Sequence, residues 1–111
     1  MIGHTKGPWS VHPGHYPGFL VVKGASFNIS VVTTARDLDF NDFCARRADA
    51  HLIAAAPDLL EALERAAIQF RHYELSHREK GTDDSMRKAE VNADLAYDLE
   101  QVIAKAKGEA Q

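Results

Sequence analysis

Between Phe19 and Thr34 the apolar positions fall in short runs rich in β-branched and aromatic residues. Phe19 to Lys23 reads FLVVK. Phe27 to Thr34 reads FNISVVTT, where Phe27, Ile29 and Val31 alternate with Asn28 and Ser30. Period-two alternation of such side chains predicts strands. Trp9 to His12, after Pro8, is a further short extended piece. Gly24-Ala25-Ser26 is a short linker suited to a hairpin, while Pro13-Gly14 and Pro17-Gly18 punctuate a longer, exposed loop. Residues 1–40 are therefore expected to form a sheet of two or three antiparallel strands.

From Asn41 onward the period becomes helical. Asn41 or Asp42 is positioned to cap a helix whose apolar residues Phe43, Ala48, Leu52, Ile53 and Ala56 recur at spacings of three and four. Proline is disfavoured inside a helix and favoured in its first turn, so AAAPDLLEAL reads as one helix ending and another beginning near Pro57, or as a continuous helix kinked there. The second helix carries Leu59, Leu60, Leu63, Ala66, Ala67, Phe70 and Tyr73 on one face, pairs Glu61 with Arg65 on its surface, and runs to about Lys80. Gly81 stops it. Asp83, Asp84 or Ser85 then caps a third helix with the stripe Met86, Ala89, Ala93, Ala96, Leu99, Ile103 and Ala106, ending near Gly108. The expected class is α+β: a short antiparallel sheet over 1–40, then a short helix and two long antiparallel helices over 41–111, all in a single domain.

Two helices of ~20 residues are each ~30 Å long, more than a small sheet covers. Val91, Leu95 and Val102 widen the apolar face of the third helix beyond what one partner helix needs. Burial between subunits resolves that excess, and a homo-oligomer is expected; the alternative is a monomer with the sheet folded over the hairpin.

At 111 residues, with 26% charged residues and a net charge of −3, the chain suits one ordinary domain. The single cysteine forms no internal disulfide, which points to a reducing compartment. No apolar run has the ~18 residues that cross a bilayer, and MIGHTKGPWS lacks the apolar core of a signal peptide, so no membrane association and a cytoplasmic location are expected.

Charge is unevenly placed. The first 36 residues hold no Asp or Glu but carry Lys6, Lys23, Arg36, His4, His12 and His15. That stretch is a local positive field suited to phosphate groups or an acidic partner, or simply to docking on the chain's own acidic helices. An acidic total speaks against duplex nucleic acid, which needs a dense basic face. Arg36, Arg46 and Arg47 cluster in sequence at the sheet-to-helix junction, and the guanidinium fork grips phosphate bidentately. Adjacent helical positions diverge by about 100°, so Arg46 and Arg47 do not both face one pocket. Among the aromatics Trp9 and Phe27 suit the core. Tyr16, between glycine and proline in the loop, is the candidate for stacking on a base. The expected ligand site is thus Tyr16, Arg36, Arg46 and Arg47. His4, His12 and His15 lack the Cys or carboxylate neighbours of a zinc site, His72 and His77 belong on a helix surface, and Cys44 has no base beside it and reads as a small buried residue. No cofactor, metal or catalytic group is expected.

The stretch ADAHLIAAAPDLLEALE, residues 48–64, together with HTKGPW, residues 4–9, resembles a signature of small phage and prophage proteins in which an alanine-rich helix runs into AAAP[DE]LLEAL. The resemblance covers about the first sixty residues and implies a phage accessory product acting in the infected host cell. In element order alone the chain is similar to the Thoeris anti-defence sponges, which oligomerise through helices and sequester cyclic ADP-ribose signals without cleaving them. That likeness implies a protein that binds and withholds a small anionic nucleotide signal. The alternatives are a protein-binding inhibitor of a host defence complex, of the anti-CRISPR kind, and a structural or assembly factor without a ligand.

Overall fold

Three strands and three helices follow one another in the order the pattern predicts. A computed structural model describes residues 3–15, 19–25, 28–33 and 40–109. Strands β1 (Ser10–Pro13), β2 (Phe19–Lys23) and β3 (Asn28–Thr33) form an antiparallel sheet in the order β1-β2-β3. Helices α1 (Phe40–Ala54), α2 (Ala56–Lys80) and α3 (Asp83–Ala106) follow. The chain divides into two compact units, Met1–Leu59 and Leu60–Gln111.

In the first unit α1 packs on the sheet. Val11 lies opposite Val22 across the β1/β2 ladder, and Leu20 shares the Val22 face because side chains two apart in a strand point the same way. Val22 and Ala50 of α1 are fully buried, with Trp9, Leu20, Ile29, Ile53 and Ala54 around them. The small Ala50 side chain lets the helix backbone approach the sheet. A bulge at the end of the β2/β3 pairing sets Val22 opposite Ser30 and Lys23 opposite Asn28, leaving Ile29 as the extra residue. The regular alternation expected through Ile29 and Val31 breaks there. Ile29 packs with Val22, whereas Val31 lies opposite Val21 in the ladder. Trp9 Nε1 donates to the Thr5 carbonyl at 3.1 Å, so the indole satisfies its polar atom while its rings join the core. At the β1 end Gly14 N donates to Phe19 O at 2.7 Å, and a Cβ on Gly14 would come within 2.5 Å of the Phe19 Cβ.

Pro57 occupies the first turn of α2, as its missing N–H favours; Ala55 is a turn residue between α1 and α2, and Leu59 N bonds to Ala55 O at 2.9 Å.

The second unit is a helical hairpin. α2 ends at Lys80, and Gly81 takes φ 68°, a left-handed conformation open to glycine at little cost. The cap of α3 lies one residue ahead of the expected Asp83, Asp84 or Ser85: Thr82 is extended and its Oγ1 accepts from Ser85 N at 3.1 Å. Gly108, at φ 75°, follows the end of α3. The Arg71–Glu100 and Glu64–Lys107 ion pairs fix α2 and α3 as antiparallel. The buried residues along their seam are small, namely Ala67, Ser85, Ala89 and Ala96. Met86, Ala93, Leu99 and Ile103 of the expected stripe are half-buried, while Ala106 is exposed. Val91, Leu95 and Val102 lie outside the seam and are exposed.

Candidate functional site

Of the expected ligand site, Tyr16 and Arg36 lie outside the described residues. Arg46 and Arg47 are exposed on α1. Arg46 leans toward Asp49, Nη1 to Oδ2 at 3.8 Å; Arg47 makes no ion pair among the described residues. The two guanidinium groups leave the helix in different directions, as their adjacency requires. Neither lines the groove on the hairpin. Cys44 departs from expectation because it is exposed, on the side of α1 turned away from Ala50 and the sheet.

A groove of about 370 Å³ opens on the hairpin, lined by Glu64, Ala67, Ile68, Arg71, His72, Glu100 and Ile103. Helical spacing builds it. Glu64, Ala67, Ile68, Arg71 and His72 fall on one side of α2 at positions i, i+3, i+4, i+7 and i+8, and Glu100 and Ile103 stand three apart on α3. Because Ala67 is small, the facing helices leave a hollow there that Ile68 and Ile103 line with apolar surface. Arg71 spans the groove: Nε donates to Glu100 Oε2 at 3.1 Å and Nη1 to Glu74 Oε1 at 2.8 Å. Arg78 Nε donates to Glu74 Oε2 at 2.9 Å, which continues the network along α2. Hydrogen bonding to Arg71, then to Arg78, holds the Glu74 carboxyl below its usual range, and Arg71 does the same to Glu100. The two carboxylates in turn raise the Arg71 guanidinium further above its ordinary value, Glu100 first. Glu64 faces Lys107 Nζ at 3.6 Å. The charges on the rim are therefore matched within the hairpin, and the exposed interior is apolar.

The Glu61–Arg65 pair expected from spacing does not form among the described residues. The Arg71 network formed instead, and only its Arg71–Glu74 and Glu74–Arg78 spacings could have been read from the chain. Glu100 is 29 positions from Arg71 and becomes its neighbour only through the hairpin register. His77 is half-buried, with Nδ1 lacking a hydrogen-bond partner among the described residues, whereas His72 is on the surface as expected. No group of three or more His, Cys, Asp or Glu side chains able to hold a metal converges among the described residues. No helix there is long and apolar enough to cross a membrane.

Residues 1–110 match the family described as Salmonella phage P22 protein Y8K6. The chain belongs to that family. The match runs through both long helices, so the hairpin and its groove fall inside the Y8K6 family region as fully as the sheet does. The phage resemblance carried by HTKGPW and LIAAAPDLLEAL is thereby extended from the first sixty residues to nearly the whole chain. The family description carries a phage context and names no reaction. No curated protein and no solved structure matches the chain.

Proposed function

We propose that this phage protein is a non-catalytic accessory factor that acts by binding a protein partner of the infected host through its helical hairpin. The observation that carries this reading is the groove between α2 and α3, where Ile68 and Ile103 offer apolar surface inside a rim whose charges are already paired. Such a site has little to gain from a phosphate or another small anion, since Arg71 is engaged by two carboxylates. It suits an apolar side chain presented by another protein, for which shape and dehydration supply the affinity. An inhibitor of a host defence complex works in this way.

Nucleotide sequestration is the second reading. It is favoured by the acid-free first 36 residues and by Arg47 on α1, which makes no ion pair among the described residues.

A photo-crosslinking residue placed at Ile68 during infection separates the two. Hairpin binding predicts one discrete protein adduct, absent when the probe stands at exposed Glu79 and lost on Ile103→Lys. Failure to obtain that adduct, together with calorimetric heat from a cyclic dinucleotide, a cyclic trinucleotide or cyclic ADP-ribose, would transfer the function to the second reading.

A further inference from the structure

The outward face of α3 carries Val91, Leu95 and Val102, exposed by 58%, 42% and 51%. At about 100° per residue these three lie within about 40° of one another and form one continuous strip. None of them lines the groove. Glu90, Asp94 and Asp98 run along one border of the strip and make no ion pair among the described residues. An apolar strip beside a row of unpaired acids calls for an apolar strip beside a base.

The outward face of α1 supplies that complement. Ala45, Ala48 and Leu52 are all exposed at helical spacing, Leu52 by 63%. His51 runs along one border with Arg47 farther round on the same side, both exposed, and Asp49, paired with Arg46, lies on the other. The two alanines leave room for a neighbouring helix to approach, with Leu52 as the projecting side chain. The handedness of the match is definite. Seen from outside with the amino terminus upward, Arg47 and His51 lie to the right of the α1 strip, and Glu90, Asp94 and Asp98 lie to the right of the α3 strip. Like-sided flanks meet when two helices cross antiparallel. That crossing sets the Arg47 and His51 flank against the acids of α3.

We infer that the occupant of the α3 face is a second copy of this chain, seated through its α1 in antiparallel orientation, with Arg47 against Asp94 and Asp98. The contact is heterologous, joining unlike faces, and it is independent of the groove reading.

Light scattering on the full chain tests it. Wild type exceeds the 12.3 kDa of one chain at high micromolar concentration and falls toward it as salt rises. Leu52→Asp and Leu95→Asp, both at exposed positions, keep their helical circular dichroism and each scatter as single chains. Mixed in equal amounts, they associate again and stop at two chains, because each variant contributes the face the other lacks. Arg47→Glu weakens association, and adding Asp94→Lys and Asp98→Lys to the same chain restores it. A wild type that remains a single chain would overturn the inference. So would a mixture that stays monomeric, a Leu52→Asp variant that associates like wild type, or an Arg47→Glu variant that associates unimpaired.

Discussion

Val22 in the sheet unit and Ala96 in the hairpin are both fully buried, but they are buried by different means. Val22 is surrounded by side chains drawn from β1, β3, α1 and the segment before β1, so its environment exists only when distant parts of the chain have met. Ala96 is covered by a facing helix joined to its own through Gly81 and Thr82, and the other buried residues of α3 are alanine and serine, with Met86, Leu99 and Ile103 half-buried. The branched core of the sheet unit draws in most of its large apolar residues, Leu52 and Leu59 apart. A seam of small ones does not. The hairpin leaves many of its larger apolar residues outside: Ile68, Leu75, Val91, Leu95, Tyr97 and Val102 are all exposed. Its helices are joined by a capped turn and by ion pairs as well as by the seam, and its hydrophobic surface remains available to other molecules.

The strongest way to break this comparison is to charge the sheet core. Val22→Asp leaves an unpaired carboxylate among Trp9, Leu20 and Ile53 and is expected to cost about 3–5 kcal/mol. Near-ultraviolet dichroism and fluorescence from Trp9 should collapse while most helical signal persists. Parallel loss of both signals would show that the two units unfold as one. Overfilling the seam is the next largest change. Ala89→Leu forces α2 and α3 apart and should destabilise the hairpin by about 1–3 kcal/mol in urea titration, with the Trp9 signal unmoved. An unchanged midpoint would mean that the seam is not closely packed.

Much of this contrast was legible in the chain. FLVVK announced β2, Pro57 announced the α1/α2 junction, and Gly81 announced the end of α2, because each rests on local sterics or spacing that needs no partner. The bulge at Ile29 was hidden, since a bulge is a property of two paired strands and not of one. Cys44 was misread because a lone small thiol looks the same on either face of a helix until the sheet chooses one. The groove was illegible for a related reason: Arg71 finds Glu100 only after the hairpin register is set. Of the expected ligand site, Arg46 and Arg47 diverge on α1 as their adjacency dictates.

Removal of the Thr82 cap sharpens the comparison with a smaller effect. Thr82→Ala leaves Ser85 N without its side-chain acceptor and should cost about 1 kcal/mol, read as a lower urea midpoint for the helical signal. No change would place the start of α3 elsewhere.

The smallest expected effect is that of acid. Glu74 and Glu100 are held below their ordinary value near 4.5, and Asp84, through its bond to Lys88, below its value near 3.8. Carboxyls depressed in the folded state stabilise it while the pH stays above those ordinary values, and that contribution is lost as the pH falls through the lowered ones. Helical stability should therefore decline from about pH 4.5 downward, with little change from there to neutrality. Because these groups are solvent-screened, the decline should be shallow and further blunted by salt. A steep acid transition centred well above that range would implicate other groups.

The central claim is that the outward apolar residues of α3 serve contact with other molecules and not the fold of their own chain. The thermal melt of V91T/L95Q/V102T, followed by circular dichroism at a concentration where wild type scatters as one chain, tests this most directly. The account predicts a midpoint within about 2 °C of wild type, the range of surface substitutions that remove no buried contact. A drop of ten degrees or so, or loss of the cooperative transition, would show that these side chains hold the hairpin together, and the claim would fail.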